Sequence, residues 1–429
     1  MKTRWKPGRI NIAACILILF SAHLHAAPEL SAPTDLPPLA AVEATLDAYP
    51  GVLAARARVA AALAESRRIN AGEYEYQARA GYARRRESGN IGGTLASNDW
   101  EIGIERGLRL PGKAKLDAAT GATLVAEAEE RVGEARHEAA RDLLSIWYAA
   151  LRAKSAGLAW RDQIGVLRQQ REAVAKRIKA GDAARMEQSL AEAAVLQAEA
   201  EARRAEAAEA QAVASLAARF PGLPAPVAQS GRLPVLSGDA GEWVRAALEH
   251  NHELAILQHS LERMRVLTRR QRAELTPDPT LGLHFARERD GQDNLLGVSL
   301  TLPLPGEGRR ARVNVANEEA RALAQIEVAT RTRIESGIRD THARLQGALS
   351  RLEAQEAMAL QLDEYAELAW RAYRLGETAL WETLNARKSA RDAHREAMAS
   401  RLDAHEAAAL LLLDSHQLWP FVGEHAANP

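Results

Sequence analysis

Three Asp-x-His triplets, Asp392-Ala393-His394, Asp403-Ala404-His405 and Asp414-Ser415-His416, recur every eleven residues near the C-terminal end of the chain. Imidazole and carboxylate both ligate divalent cations, so this spacing raises metal binding first. On a helix the idea fails. Eleven residues advance the chain by about 16 Å, too far for two triplets to share an ion, and residues two apart point to different sides. The triplets read instead as an eleven-residue packing repeat with histidine on a half-exposed stripe. A second cluster, Glu249-His250-Asn251-His252-Glu253, reads as a helix start rather than a ligand set. Neither predicts a metal site. No nucleophile, base and orienting group, no phosphate loop and no paired-carboxylate cleft can be assembled, so neither an enzyme nor a cofactor is expected.

Acidic residues with a different potential use flank two glycines. In "RIKAGDAARMEQSL", Gly181 is followed by Asp182 and, six positions on, Glu187; in "AYRLGETALWETL", Gly376 is followed by Glu377 and Glu382. Each glycine, with a basic residue before it and an acidic one after, marks the end of one helix and the start of the next. The flanking tracts, Gly112 to Phe220 and Gly306 to Trp419, contain no proline and are rich in Ala, Leu, Glu, Arg and Gln, all good helix formers. Each tract is therefore a helical hairpin with unequal arms. The longer arms, about Ala114 to Ala180 and Arg309 to Leu375, would each span roughly 100 Å at about 1.5 Å per residue. Helices of that length persist by packing side by side, and abundant alanine suits close contact.

Ahead of each tract lie segments with a period of two. In "EYEYQARAGYARR", Tyr74, Tyr76 and Tyr82 share one face; in "WEIGIERGLRL", Trp100, Ile102 and Ile104 do so, interrupted by Arg106. The second half repeats this with Leu281, Leu283 and Phe285, then Leu296, Val298, Leu300, Leu302 and Leu304. These are two amphipathic strand pairs of the length, about ten residues, that crosses a bilayer when tilted. Four strands cannot close a barrel in lipid, so several copies must combine.

The chain has 429 residues, only 4% of them aromatic, and 56 basic against 56 acidic residues. Several compact cores are a poor fit to this composition, and no net positive field points to nucleic acid. Lys2, Arg4, Lys6 and Arg9 precede an apolar run and the sequence Leu24-His25-Ala26, the pattern of a signal peptide cleaved near Ala27. Removing these four basic residues from 56 leaves 52, a mildly acidic exported chain. The single cysteine, Cys15, sits inside the apolar run, which argues against lipidation. The expected organisation is a signal peptide (1–26), a first repeat (27–220), a Pro/Gly-rich linker (221–243), a second repeat (244–416) and a tail (417–429).

This repeat of helix, strand pair, long helix, tip and helix resembles the outer-membrane efflux proteins of the TolC family, and more softly their metal-efflux branch. The resemblance implies an α+β membrane protein in which long coiled-coil hairpins and four transmembrane strands per chain build a homotrimeric channel. One twelve-stranded barrel would lie in the bacterial outer membrane, with a helical tunnel crossing the periplasm. It implies efflux through partnership with a periplasmic adaptor and an inner-membrane pump of the resistance-nodulation-division type, exporting organic compounds or heavy metals. Gly181, Asp182, Gly376 and Glu377 would dock the adaptor. Tyr373, Glu382, Asn385 and Glu187 would line the aperture, and Tyr74, Tyr76, Tyr82, Trp100, Ile102, Phe285, Val298 and Leu300 would face lipid. Thr378 stands where the best-known members carry a locking arginine, and Asn385 replaces a second acidic ring, so a weaker latch is expected. A periplasmic coiled-coil adaptor and a structural coiled-coil surface protein are the alternatives; the first should carry one hairpin, and the second should lack amphipathic strands.

Overall fold

The computed structural model describes residues 30–88, 94–227 and 231–419. The signal-peptide stretch, Cys15, the loop around Asn90 and the end of the tail lie outside the described residues. Each half begins with a short and a longer helix, α1 (Leu39–Asp47) and α2 (Pro50–Ala71) in the first, α5 (Ala240–Glu249) and α6 (His252–Ala273) in the second. Strands follow: β1 (Tyr76–Ser88) and β2 (Thr94–Gly107), then β3 (Thr280–Glu288) and β4 (Asp293–Thr301). Long hairpins complete the halves, α3 (Lys113–Ala180) with α4 (Arg185–Arg219), and α7 (Glu307–Leu375) with α8 (Leu380–Asp414).

α5 begins inside the stretch read as linker, because Asp239 and Glu242 form a capping box that starts a helix there. β4 stops at Thr301, short of Leu302 and Leu304, since Pro303 and Pro305 remove the N–H donors a continued ladder needs.

Heptad spacing holds the hairpins together. In α8 the buried residues Thr383, Ala386, Ala390, Ala393, Ala397, Ser400, Ala404 and Ala407 alternate steps of three and four, the seam pattern of a coiled coil. Ala191, Val195, Ala198, Ala202 and Ala205 do the same in α4, where the last four pack with Trp160 and Leu167 of α3. Small seam residues let the helix axes approach closely, so these helices need little aromatic content. Bulk is concentrated in one belt, where Leu143, Trp147, Tyr148 and Leu151 of α3 meet Trp243 of α5, Leu345 of α7 and Leu411 to Leu413 of α8.

That belt also corrects the expected histidine stripe. His394 is exposed beside Asp363, whereas His405 is fully buried, its Nδ1 2.9 Å from Asp35 Oδ2. Tyr148 donates to the other Asp35 oxygen at 3.0 Å, and Trp147 Nε1 donates to the Asp35 carbonyl at 2.7 Å. These bonds pin the N-terminal segment to the belt. A helix packed on all sides cannot keep an eleven-residue repeat on one half-exposed face.

The strands form one antiparallel sheet in the order β1-β2-β3-β4. Its register pairs Tyr82 with Trp100, Ile102 with Phe285, and Leu283 with Val298, so apolar residues from all four strands share one surface. Tyr82 and Val298 on it are each 72% exposed. The opposite face carries Arg79, Glu101, Glu105, His284 and Ser299.

Sheet and helices meet at the "LPGK" turn. Gly112 has φ 90°, a left-handed backbone that favours glycine, and it delivers Lys113 into a buried polar knot. Lys113 Nζ donates to the Thr276 carbonyl and to Asp278 Oδ1, both at 2.8 Å, and lies 3.1 Å from Glu274. Asp278 also accepts from the Leu110 N–H at 2.9 Å and the Tyr74 hydroxyl at 2.5 Å. Burial alone would raise the Asp278 carboxyl, but the bonds from Lys113, Tyr74 and Leu110 outweigh it and hold it below its usual range. Because Asp278 and Lys113 come from different halves, the knot ties the two repeats together.

Candidate functional site at the helical tips

Both tips turn on a left-handed glycine, Gly181 with φ 84° and Gly376 with φ 80°. The closing bonds match: the Asp182 N–H reaches the Arg177 carbonyl and the Glu377 N–H reaches that of Ala372, each at 2.9 Å. This six-to-one bond, with the shorter one beside it, is the Schellman arrangement that ends helices at glycine. Nothing stands within 4 Å of where a Cβ would lie on either glycine, so backbone conformation alone selects it. Asp182 and Glu377 are exposed beside them.

Side chains then make the tips unequal. Tyr373 continues the α7 seam of Ala366 and Ala369 and is only 1% exposed, packed among Val174, Ala191 and Leu380 and stacked on Trp370 at 5.6 Å. Its hydroxyl donates to Glu187 Oε2 of the other hairpin at 2.5 Å. Burial, then this bond, push the phenol up to about 12, so it stays a proton donor throughout the physiological range. Arg177 closes the group. Its guanidinium lies 4.4 Å above the Tyr373 ring and donates to the Tyr373 carbonyl at 2.6 Å and the Asp182 carbonyl at 3.0 Å.

Tyr373 and Glu187 are thus brought together as one link between hairpins. Glu382 and Asn385 are exposed and separate, and the Thr378 hydroxyl donates to Glu382. Sequence reading missed Arg177. Its signal was an asymmetry: at the tip offset of 376 − 181 = 195, Arg177 and Ile178 correspond to Ala372 and Tyr373.

At the far end, Tyr76, Tyr82, Trp100, Ile102, Val298 and Leu300 are exposed on the apolar face, and Phe285 is half-buried against Trp100 at 5.7 Å. Tyr74 departs from the expectation. It precedes β1, its hydroxyl is tied to Asp278, and Arg109 covers its ring at 4.6 Å, which makes it a junction residue. Among the described residues no helix is long and apolar enough to cross a membrane, which says nothing of strands.

Residues 243–413 match the family model described as outer membrane efflux protein. The match takes in nearly all of the second repeat. The fold of nearly the whole chain recurs in solved structures of outer-membrane proteins. The outer membrane protein VceC of Vibrio cholerae matches at 17% identity and a TM-score of 0.71, covering 88% of this chain and 96% of its own. CusC matches at 13% and 0.72, covering 88% and 91%. The outer membrane channel MtrE of Neisseria gonorrhoeae, in its open state, matches at 15% and 0.68, covering 91% and 95%. No curated protein sequence matches.

Proposed function

We propose that the chain is the outer-membrane channel of a tripartite efflux pump, a homotrimer that carries solutes from the periplasm to the exterior. The observation that carries this reading is the open four-stranded sheet with one apolar face, fused to two coiled-coil hairpins whose longer arms have 68 and 69 residues. A sheet with unpaired edges is intolerable in lipid; three copies would supply twelve strands and close it. The long helices would continue the barrel as a tunnel of roughly 100 Å, enough to cross periplasmic space. The second hairpin and the exposed apolar strands both weigh against an adaptor or a surface coil.

The tips would meet the adaptor at Gly181, Asp182, Gly376 and Glu377, and an inner-membrane pump of the resistance-nodulation-division type would drive export. Inside the tips, Tyr373 held by Glu187 and Arg177 keeps the hairpins drawn together. Glu382 and Asn385, each presented three times, would line the entrance, where a ring of carboxylates favours cations by Coulomb attraction. Fractionation tests the reading: the protein should be recovered from outer membranes as a trimer that dissociates on heating. Recovery as a soluble periplasmic monomer would refute it. A deletion strain screened against metals, dyes and detergents would then identify the exported class.

A further inference from the structure

The apolar face of the sheet ends differently at its two ends. Next to the helices its cation is engaged: Arg106 Nε donates to the Tyr74 carbonyl at 2.8 Å, and the guanidinium lies 4.7 Å over the Tyr76 ring. At the far end, beyond or beside Tyr82, Trp100 and Phe285, the same face carries Arg84 and Arg86 of β1 and Arg287 of β3. All three are exposed, and among the described residues none of them makes an ion pair or a side-chain hydrogen bond.

The opposite face at the same level is balanced. Arg85, between Arg84 and Arg86 in the chain, meets Asp99 at 2.9 Å and Glu288 at 2.5 Å across two further strands. On the apolar face the residues paired with the three arginines are Asn98, Ala96, Trp100 and Asn294, none of them acidic. Asn98 is already occupied: its Oδ1 accepts from the Tyr82 hydroxyl at 2.7 Å, and its Nδ2 donates to Asp290 of the β3–β4 turn at 3.0 Å. A strand spacing of about 4.8 Å and a rise of about 3.4 Å per residue put the α-carbons of Arg84 and Arg287 roughly 12 Å apart. Two long side chains can close that gap onto one headgroup.

We propose that Arg84, Arg86 and Arg287 bind the phosphate groups of anionic lipid headgroups in the outer leaflet. This rests on the outer-membrane reading, in which the end of the sheet away from the periplasmic helices lies toward the exterior. An arginine on a lipid-facing surface is costly at mid-bilayer and nearly free at the interface, and Tyr82 and Trp100 are the residue types that mark that interface. Guanidinium takes phosphate oxygens in pairs and holds its charge at any physiological pH. Three cations without a carboxylate favour a headgroup of net negative charge over a zwitterionic one, which brings its own cation. A soluble anion inside the channel would meet the opposite face, where the arginine is already paired. The engaged Arg106 at the other end makes the preference one for a single leaflet.

Native mass spectrometry of the purified protein in detergent micelles tests this with lipid A as the probe. The wild-type protein should retain lipid A carrying two phosphates at least ten times more tightly than the same lipid with its phosphates removed. Arg84→Gln/Arg86→Gln/Arg287→Gln should abolish that preference, each cation near a charged surface contributing to it, whereas Arg106→Gln should keep it. Equal retention of the two lipids by the wild-type protein, an unchanged preference in the triple variant, or displacement by inorganic phosphate at the lipid's own concentration would overturn the proposal. The comparison of the two lipids needs no variant, so it decides even where the triple variant fails to assemble. Fractionation reads the outer-membrane assignment separately.

Discussion

At the strand end of the molecule the two halves of the repeat do the same job. Ile102 of β2 and Phe285 of β3 face each other on one apolar surface, with Trp100 and Val298 beside them. At the tip end the backbones agree as closely, glycine for glycine, yet the side chains do not. Glu187 and Glu382 correspond at the offset of 195, but Glu187 accepts from Tyr373 across the hairpins, while Glu382 accepts from Thr378 within its own. Duplication supplied an exposed apolar surface that works by repetition. It supplied two tips that work by having diverged, since a link between hairpins needs a donor on one and an acceptor on the other.

The largest effect should fall on the repeated surface. Ile102→Arg and Val298→Arg should each cost about 2–4 kcal/mol near mid-bilayer, read as loss of the membrane-embedded trimer, whereas Glu101→Arg and Ser299→Arg on the opposite face should be tolerated. A large difference between the two halves, or equal tolerance at Ile102 and Glu101, would break the symmetry argued for this end. Tyr373→Phe should remove a buried bond to a charged partner worth about 1.5–3 kcal/mol and loosen the tips, while Ile178→Ala at the matching position should leave the link intact. Crosslinking between cysteines placed at Arg185 and Glu377 reports the loosening.

Smaller and equal effects are expected where the tips agree. Gly181→Ala and Gly376→Ala should each cost about 1–2 kcal/mol from left-handed strain alone, as neither site has a neighbour to clash with. Acid should act at the junction knot. The depressed Asp278 carboxyl stabilises the folded state fully above the ordinary carboxylate range near pH 4 and loses that contribution as pH falls through its own lower value. Asp278→Asn should therefore be less stable at neutral pH and flatter in acid, as thermal unfolding across pH 2–7 would record.

Much of this was legible in the sequence because it is periodic. The alternation around Ile102 and Val298, the glycine turns and the lengths of α3 and α7 follow from local propensity repeated over many residues. The short α1 and α5 were not seen, being too brief for a pattern to build. The Tyr373, Glu187 and Arg177 group was legible only as separate residues, since its geometry depends on how one hairpin lies on the other. Tyr74 was misjudged for a related reason: its alternation matches Tyr76, but Asp278, 204 residues away, captures its hydroxyl. The histidines show the limit most plainly. His252 and His416 sit in two motifs that are bland on their own helices, and they meet only because α6 starts beside the end of α8.

Planar-bilayer recording of the purified trimer tests the diverged tips as the gate of a channel. The wild-type protein should give a small, cation-selective current. Tyr373→Phe combined with Glu187→Gln should enlarge it while keeping its selectivity, and adding Glu382→Gln should then reduce the preference for cations and the block by divalent ions. A current unchanged in amplitude and selectivity across all three substitutions would contradict both the link and its place at the aperture.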